Sequence, residues 1–345
     1  MDRIDAHIHY LGDHPSDVAQ LEELGLKLLN ICIPRPDPIW RRDKAIYRRL
    51  AQGFPRRFAW CGGFDPPGTD DLAAPDGWIA ATLDEVARDL EDGAVGIKVW
   101  KCIGMEIRKP DGSYLMIDDP IFRPIWRALA QADSTLLAHI GEPRACWRPL
   151  SEDSPHRDYY RRNPQWHMAG RTDIPSHQEL IAARDRVVET HPDLRFIGAH
   201  LGSLEYDVDE VAARFERYEN FAVDTSSRLL DLAAQERSKV RRFFERFHDR
   251  ILFGTDIVLR QRSSELEPEA HRRRLAEDRR RWQAELDFLT HEAKVVIRGR
   301  EVEGLGLGAD LVHELSVVNP RRWYPRLAAD AESRSVAATP AGAVP

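Results

Sequence analysis

Six side chains able to bind a metal or carry a proton, His7, His9, Lys98, His139, His200 and Asp256, each stand at or near the end of a strand-like run. The first two lie in Ile4-Asp5-Ala6-His7-Ile8-His9. Alternation along a strand would place Asp5, His7 and His9 on one face. Two imidazoles so placed can each offer a neutral nitrogen to one ion. A His-x-His pair alone is a weak signal; the four groups further along give it weight.

Strand-like runs recur at 3–9, 25–33, 58–64, 94–100, 135–140, 194–200, 220–225 and 250–256. Amphipathic helical segments lie between them near 38–52, 78–92, 120–133, 177–190, 205–218 and 236–248. Short apolar strands alternating with helices predict a parallel sheet. Eight such units predict an α/β fold closed as a (β/α)8 TIM barrel. In that fold the C-terminal strand ends converge on one face, which would gather the six side chains there. His14, in the loop after the first strand, is read as a polar loop residue.

Long connections are expected after strands 4, 5 and 8, at 101–119, 141–176 and 257–308, and they would form the walls and lid of a pocket. Within them Glu142 is a candidate to orient a ligand and Arg144 to hold an anion, or the two pair to shape the loop. Arg228, past the seventh strand, is a second anion-binding candidate. Trp100, Trp147 and Trp166 can stack on a flat ring. Lys101 also ends a strand, Asp224 ends another with its direction open, and His167 lies in a loop that would overhang the site. The arginine-rich stretch Glu269–Glu292 reads as a helix with one packed stripe and a solvated face, and a last helix is expected at 309–319. A barrel domain is expected over 1–329, with a disordered tail at 330–345.

The net charge of −7 argues against a general attraction to nucleic acid or anionic membrane. No run approaches the length of a membrane helix. The first strand starts too early to leave room for a signal peptide, and Cys32, Cys61, Cys102 and Cys146 form no close pairs. Cys32 and Cys61 read as buried thiols, and a cytoplasmic address is expected.

The ordered set His7-x-His9, Gly96-Ile97-Lys98, His139, Gly198-Ala199-His200 and Phe253-Gly254-Thr255-Asp256 resembles the amidohydrolase superfamily. The resemblance is to its amidohydrolase-2 branch, with the aminocarboxymuconate semialdehyde decarboxylase relatives, and it runs over residues 3–326. It implies a divalent metal, usually zinc, held by His7, His9, His139 and Asp256, with His200 as the proton-transfer residue or an electrophilic helper. It further implies a second ion if Lys98 is carboxylated to an anionic bridge; otherwise Lys98 stays an amine that binds substrate or pairs with Asp5 or Glu142. Dimers or larger assemblies are also implied.

Three histidines and an aspartate suit zinc, which acidifies bound water and polarises a carbonyl. Asp256 or His200 can then accept a proton and pass it to a leaving group. The leading expectation is a metal-dependent hydrolase of a small amide, lactone or ester. The alternative is a nonoxidative decarboxylase of an aromatic or unsaturated acid, to which arginines and tryptophans in the pocket loops would suit. A barrel that binds without catalysis is disfavoured, because every metal residue is intact.

Overall fold

The computed structural model describes residues 2–327, so the tail expected at 330–345 lies outside the described residues. The strands are β1 (Arg3–Tyr10), β2 (Leu26–Ile31), β3 (Phe58–Gly63), β4 (Ile97–Val99), β5 (Thr135–Ala138), β6 (Arg195–Gly198), β7 (Phe221–Asp224) and β8 (Ile251–Leu252). Each pairs in parallel with the next. A short β9 (Val258–Leu259) continues beyond β8 and pairs with the end of β1. The seam is closed by backbone bonds from Ala6 N–H to Phe253 O at 2.9 Å, Asp256 N–H to His7 O at 2.8 Å and His9 N–H to Ile257 O at 2.9 Å. The chain is therefore a (β/α)8 TIM barrel whose eighth stave is interrupted at Asp256.

Helices form at 39–53, 76–91, 123–131, 177–190, 208–217 and 237–246, close to the six expected. A seventh, Pro15–Leu24, was not anticipated. His14 is its N-cap rather than a mere loop residue: Nδ1 accepts Ser16 N–H, and Asp17 answers by accepting His14 N–H. The last helix runs past 319 as well. A π-helical turn over Glu314–Val318 leads straight into Asn319–Trp323, so Asn319-Pro320 starts a new helical segment instead of following the helix.

Alternation sorts side chains into a barrel interior and an outer shell. Leu29, Ile31, Cys61, Val95, Leu137, Ile197, Ala222 and Leu252 form the interior packing, capped from below by Trp323, Tyr324 and Leu327. Leu28, Ile97, Phe196, Val223 and Phe253 face the surrounding helices. All four cysteines are free and buried. No helix among the described residues is long and apolar enough to cross a membrane.

In β1 this alternation breaks. Asp5 pairs with Leu28, yet Ile8 pairs with Asn30, so β1 carries one extra residue between them. Such a bulge re-aims the side chains that follow it. Ile4 and Ala6 point into the barrel, whereas Ile8 and Tyr10 point out. Asp5 accordingly faces the outer helix, accepting Trp282 Nε1–H at 3.0 Å and the Thr255 hydroxyl at 2.6 Å. His7 and His9 face the site. The expectation that Asp5 shares their face is corrected by this one-residue slip.

Candidate active site

His7, His9 and His200 are tethered through Nδ1. His7 Nδ1–H donates to Asp224 Oδ2 at 2.7 Å, His9 Nδ1–H to the Ile31 carbonyl at 2.7 Å, and His200 Nδ1–H to the Ser226 carbonyl at 2.9 Å. Because a carbonyl or carboxylate only accepts, each ring keeps its proton on Nδ1 and offers the Nε2 lone pair. Burial lowers the pKa of His7, and holds His139 and His200 well below the usual imidazole range, which keeps them neutral. Ring centroids stand 5.5 Å apart for His7 and His9, 4.8 Å for His7 and His200, and 4.4 Å for His139 and His200.

Asp256 joins them from the interrupted eighth stave. Its Oδ1 lies 3.4 Å from His9 Nε2. Two acceptors facing each other at that distance need a shared proton or cation between them. Burial alone would raise the Asp256 carboxyl; a proton shared with His9, with the positive charge it brings to the imidazole cluster, outweighs this and holds it well below the ordinary carboxylate range. Ligand atoms of His7, His9 and Asp256 all lie within 4.8 Å of one another. His139 Nε2 is buried with no hydrogen-bond partner. An orphaned imidazole nitrogen, an unbridged acceptor pair and a neutral donor set together fit a divalent cation.

Several of these groups are reached through strained backbone. His200, Leu201, Gly202 and Ser203 all have positive φ, a left-handed turn that swings His200 inward where β6 ends. Ser203 pins this turn through its hydroxyl to the Ile140 and Gly141 carbonyls at 3.0 and 2.8 Å. Gly254 lets β8 pack closely against β1: a Cβ there would stand 3.0 Å from His7 Cβ, and His7 would have to shift by a few tenths of an ångström.

Asp224 is the residue whose part the sequence left open. Oδ2 holds His7, while Oδ1 accepts His200 N–H at 2.8 Å and the Ser226 hydroxyl. Burial would raise it, but His7 and these bonds keep it far below the usual carboxylate range. Its place at the end of β7, on the interior parity of Ala222, is the signal that points to it.

Lys98 is buried at the end of β4, with Asp224 and Asp256 nearby. Burial lowers its pKa to about 8, so a reactive neutral amine is accessible near neutrality. It pairs with neither Asp5 nor Glu142. Asp5 is taken by Thr255 and Trp282, and Glu142 by Lys101 and by Tyr160, whose hydroxyl donates at 3.1 Å.

A cavity of about 430 Å³ opens beside this cluster, lined among others by His139, Glu142, Tyr159, Arg228, Asp256 and Arg298. Arg228 is buried, and its Nε has no partner. Arg162 and Arg300 add to the cationic wall. Arg144 does not line this cavity, nor does it pair with Glu142. Its guanidinium stacks over Tyr206 at 3.5 Å, and its backbone N–H donates to Glu205. Trp100 and Trp166 instead line a neighbouring cavity of about 520 Å³ and meet edge to face at 5.2 Å. Lys101 stands between the two spaces, 4.1 Å from the Trp166 ring and 2.9 Å from the Tyr159 hydroxyl. His167 is tied to the Arg148 carbonyl at 3.0 Å, and Trp147 packs on His177.

A TIM barrel with histidines and an aspartate gathered at its C-terminal mouth defines a class of barrel whose chemistry sits in that mouth. The amidohydrolase family model matches residues 49–326, and the chain belongs to that family. The matched region begins after β1, so His7 and His9 rest on the geometry above. Among solved structures, a 2,6-dihydroxybenzoate decarboxylase complexed with 2,6-dihydroxybenzoate is 20% identical with a TM-score of 0.50, covering 90% of this chain and 87% of that one. A dihydroxybenzoic acid decarboxylase from Polaromonas sp. JS666, with bound manganese and 2-nitroresorcinol, is 15% identical with a TM-score of 0.51 over 94% and 97%. 4-Oxalomesaconate hydratase from Rhodopseudomonas palustris is 14% identical with a TM-score of 0.51 over 94% and 84%. These likenesses are of fold. No curated protein matches the chain.

Proposed function

We propose that this chain is a metal-dependent hydrolase of a small anionic amide, lactone or ester. His7, His9, His139 and Asp256 would hold one divalent ion, with zinc the proposed metal. When bound, such an ion supplies Lewis acidity toward a carbonyl. The remaining work falls to the chain's own groups. Asp256 is ionised and His200 is neutral, so both can accept a proton from an attacking water and later return it to a leaving group. Lys98 stays an amine in this one-ion reading.

The observation that carries hydrolysis over decarboxylation is the buried Arg228 on the cavity wall next to His139 and Asp256, whose Nη1–H donates to the Ser227 carbonyl at 3.1 Å while its Nε–H has no partner. Acyl transfer builds negative charge on a carbonyl oxygen, which a fixed guanidinium stabilises. Loss of CO₂ disperses the charge of the leaving carboxylate, and the same guanidinium would favour the starting acid. Decarboxylation of an aromatic acid is the second reading, favoured by the aromatic side chains Trp100, Trp166 and Tyr159 around the cavities.

Metal-replete protein should be incubated with carboxylated lactones, esters and amides and with hydroxybenzoates, while acid release and CO₂ are followed separately. Hydrolysis without CO₂ supports the first reading. Stoichiometric CO₂ from a hydroxybenzoate would replace it with the second.

A further inference from the structure

Beyond β8 the chain makes a long excursion over 257–308, which after β9 contains the helix Pro268–Thr290 and a hairpin of β10 (Lys294–Ile297) and β11 (Arg300–Glu303). The hairpin turns through Arg298 and Gly299, both with positive φ, 49° and 80°. A two-residue turn of this kind favours Asn, Asp or Gly at its first position, and arginine there is strained.

The strained arginine, itself exposed, makes its contact at the rim of the site. Arg298 Nη2–H donates to Ser227 Oγ at 2.9 Å, and Ser227 Oγ–H donates to Asp256 Oδ2 at 2.7 Å. Guanidinium has donors only, so Ser227 must accept from it and has a single proton left, which goes to Asp256. Oδ2 is thereby occupied, and Oδ1 is left facing His9. All three members of this chain have positive φ: Arg298 at 49°, Ser227 at 59° and Asp256 at 55°. Only seven non-glycine residues among those described share that backbone, and three stand in this one series. From the helix of the same excursion, Arg281 Nη2–H donates to the Thr255 carbonyl at 2.9 Å, anchoring the backbone just before Asp256.

We infer that Arg298 is a positioning residue for Asp256, acting through Ser227, and that the hairpin completes the metal site from outside the barrel. This inference rests on the metal site proposed above. Arg298 touches no ligand atom itself. It fixes which way one hydroxyl proton points, and that choice frees one carboxylate oxygen toward the histidines. Partners that orient a metal-ligating carboxylate change metal affinity by about 10–100-fold when removed.

The test is Zn²⁺ affinity, measured by competition with a chelating dye, on the full chain and on Ser227→Ala, Arg298→Ala, their double variant, Arg298→Lys and Arg298→Asn. Each alanine variant should weaken Zn²⁺ binding about tenfold or more. The double variant should lose no more than the weaker-binding single, because the two groups act in series. Arg298→Lys, still a pure donor, should recover much of the affinity. Arg298→Asn should keep or raise the melting temperature of the metal-free protein, since Asn suits the turn, while binding Zn²⁺ as weakly as Arg298→Ala. A merely structural hairpin contact would show the reverse, with lowered melting temperature and intact affinity. Affinity in Arg298→Ala within about twofold of wild type, or losses that multiply in the double variant, would overturn the role of Arg298 alone. Failure of the unaltered chain to bind Zn²⁺ would overturn both it and the proposed metal site.

Discussion

Asp224 Oδ2 accepts the Nδ1 proton of His7 at 2.7 Å, while its other oxygen accepts the backbone N–H of His200 at 2.8 Å. One carboxylate at the end of β7 thus sets the tautomer of one histidine and the backbone position of another. Neither histidine is its neighbour in sequence, and closure of the barrel brings them together.

Asp224→Asn tests that relationship. An amide presenting its NH₂ to His7 would donate where the carboxylate accepts, moving the ring proton to Nε2 and blocking the lone pair. The variant should fold and bind divalent metal about 10–100-fold more weakly than wild type. Chelator competition reads this directly, and unchanged affinity would mean that His7 is not held for ligation.

Lys98→Met tests the number of ions. If Lys98 is a plain amine, removing it should leave metal content at its wild-type level, and relief from burying a cation should maintain or raise the melting temperature. A fall in metal per chain on this substitution would show that Lys98 bridges ions as a carbamate.

Glu285 gives a pH-dependent prediction. Burial raises its pKa from 4.5 to about 7, and Arg281 only partly offsets this. The folded form holds a proton that the unfolded chain releases at lower pH. Its contribution is therefore fully present below the unfolded value and is lost as pH rises toward 7. Glu285→Gln removes that loss. The melting temperature of the variant relative to wild type should climb between pH 5 and pH 8, by an amount equivalent to roughly 2–3 kcal/mol. A difference that stays flat with pH would contradict the burial of this acid.

The barrel was legible from the rhythm of apolar strands and amphipathic helices, and from strand ends that carry ligand-type residues. What the sequence could not supply was parity. The extra residue in β1 separates Asp5 from His7 and His9, and no local pattern announces a bulge. His200 enters through left-handed backbone whose signal, Ala199-His200-Leu201-Gly202, reads as ordinary strand ending. Arg144 and Arg228 look alike in sequence, yet one stacks on Tyr206 and the other lines the cavity, because each loop's packing decides its direction. Arg298 and Ser227 lie 71 residues apart and meet only through the folded excursion after β8.

The most direct test of the central claim is elemental analysis of protein purified without chelators, compared with the His7→Ala, His9→Ala double variant. The wild-type chain should carry one divalent ion, zinc on the present reading, and the double variant should carry none. Metal-free wild-type protein that also fails to take up zinc on addition would contradict the account.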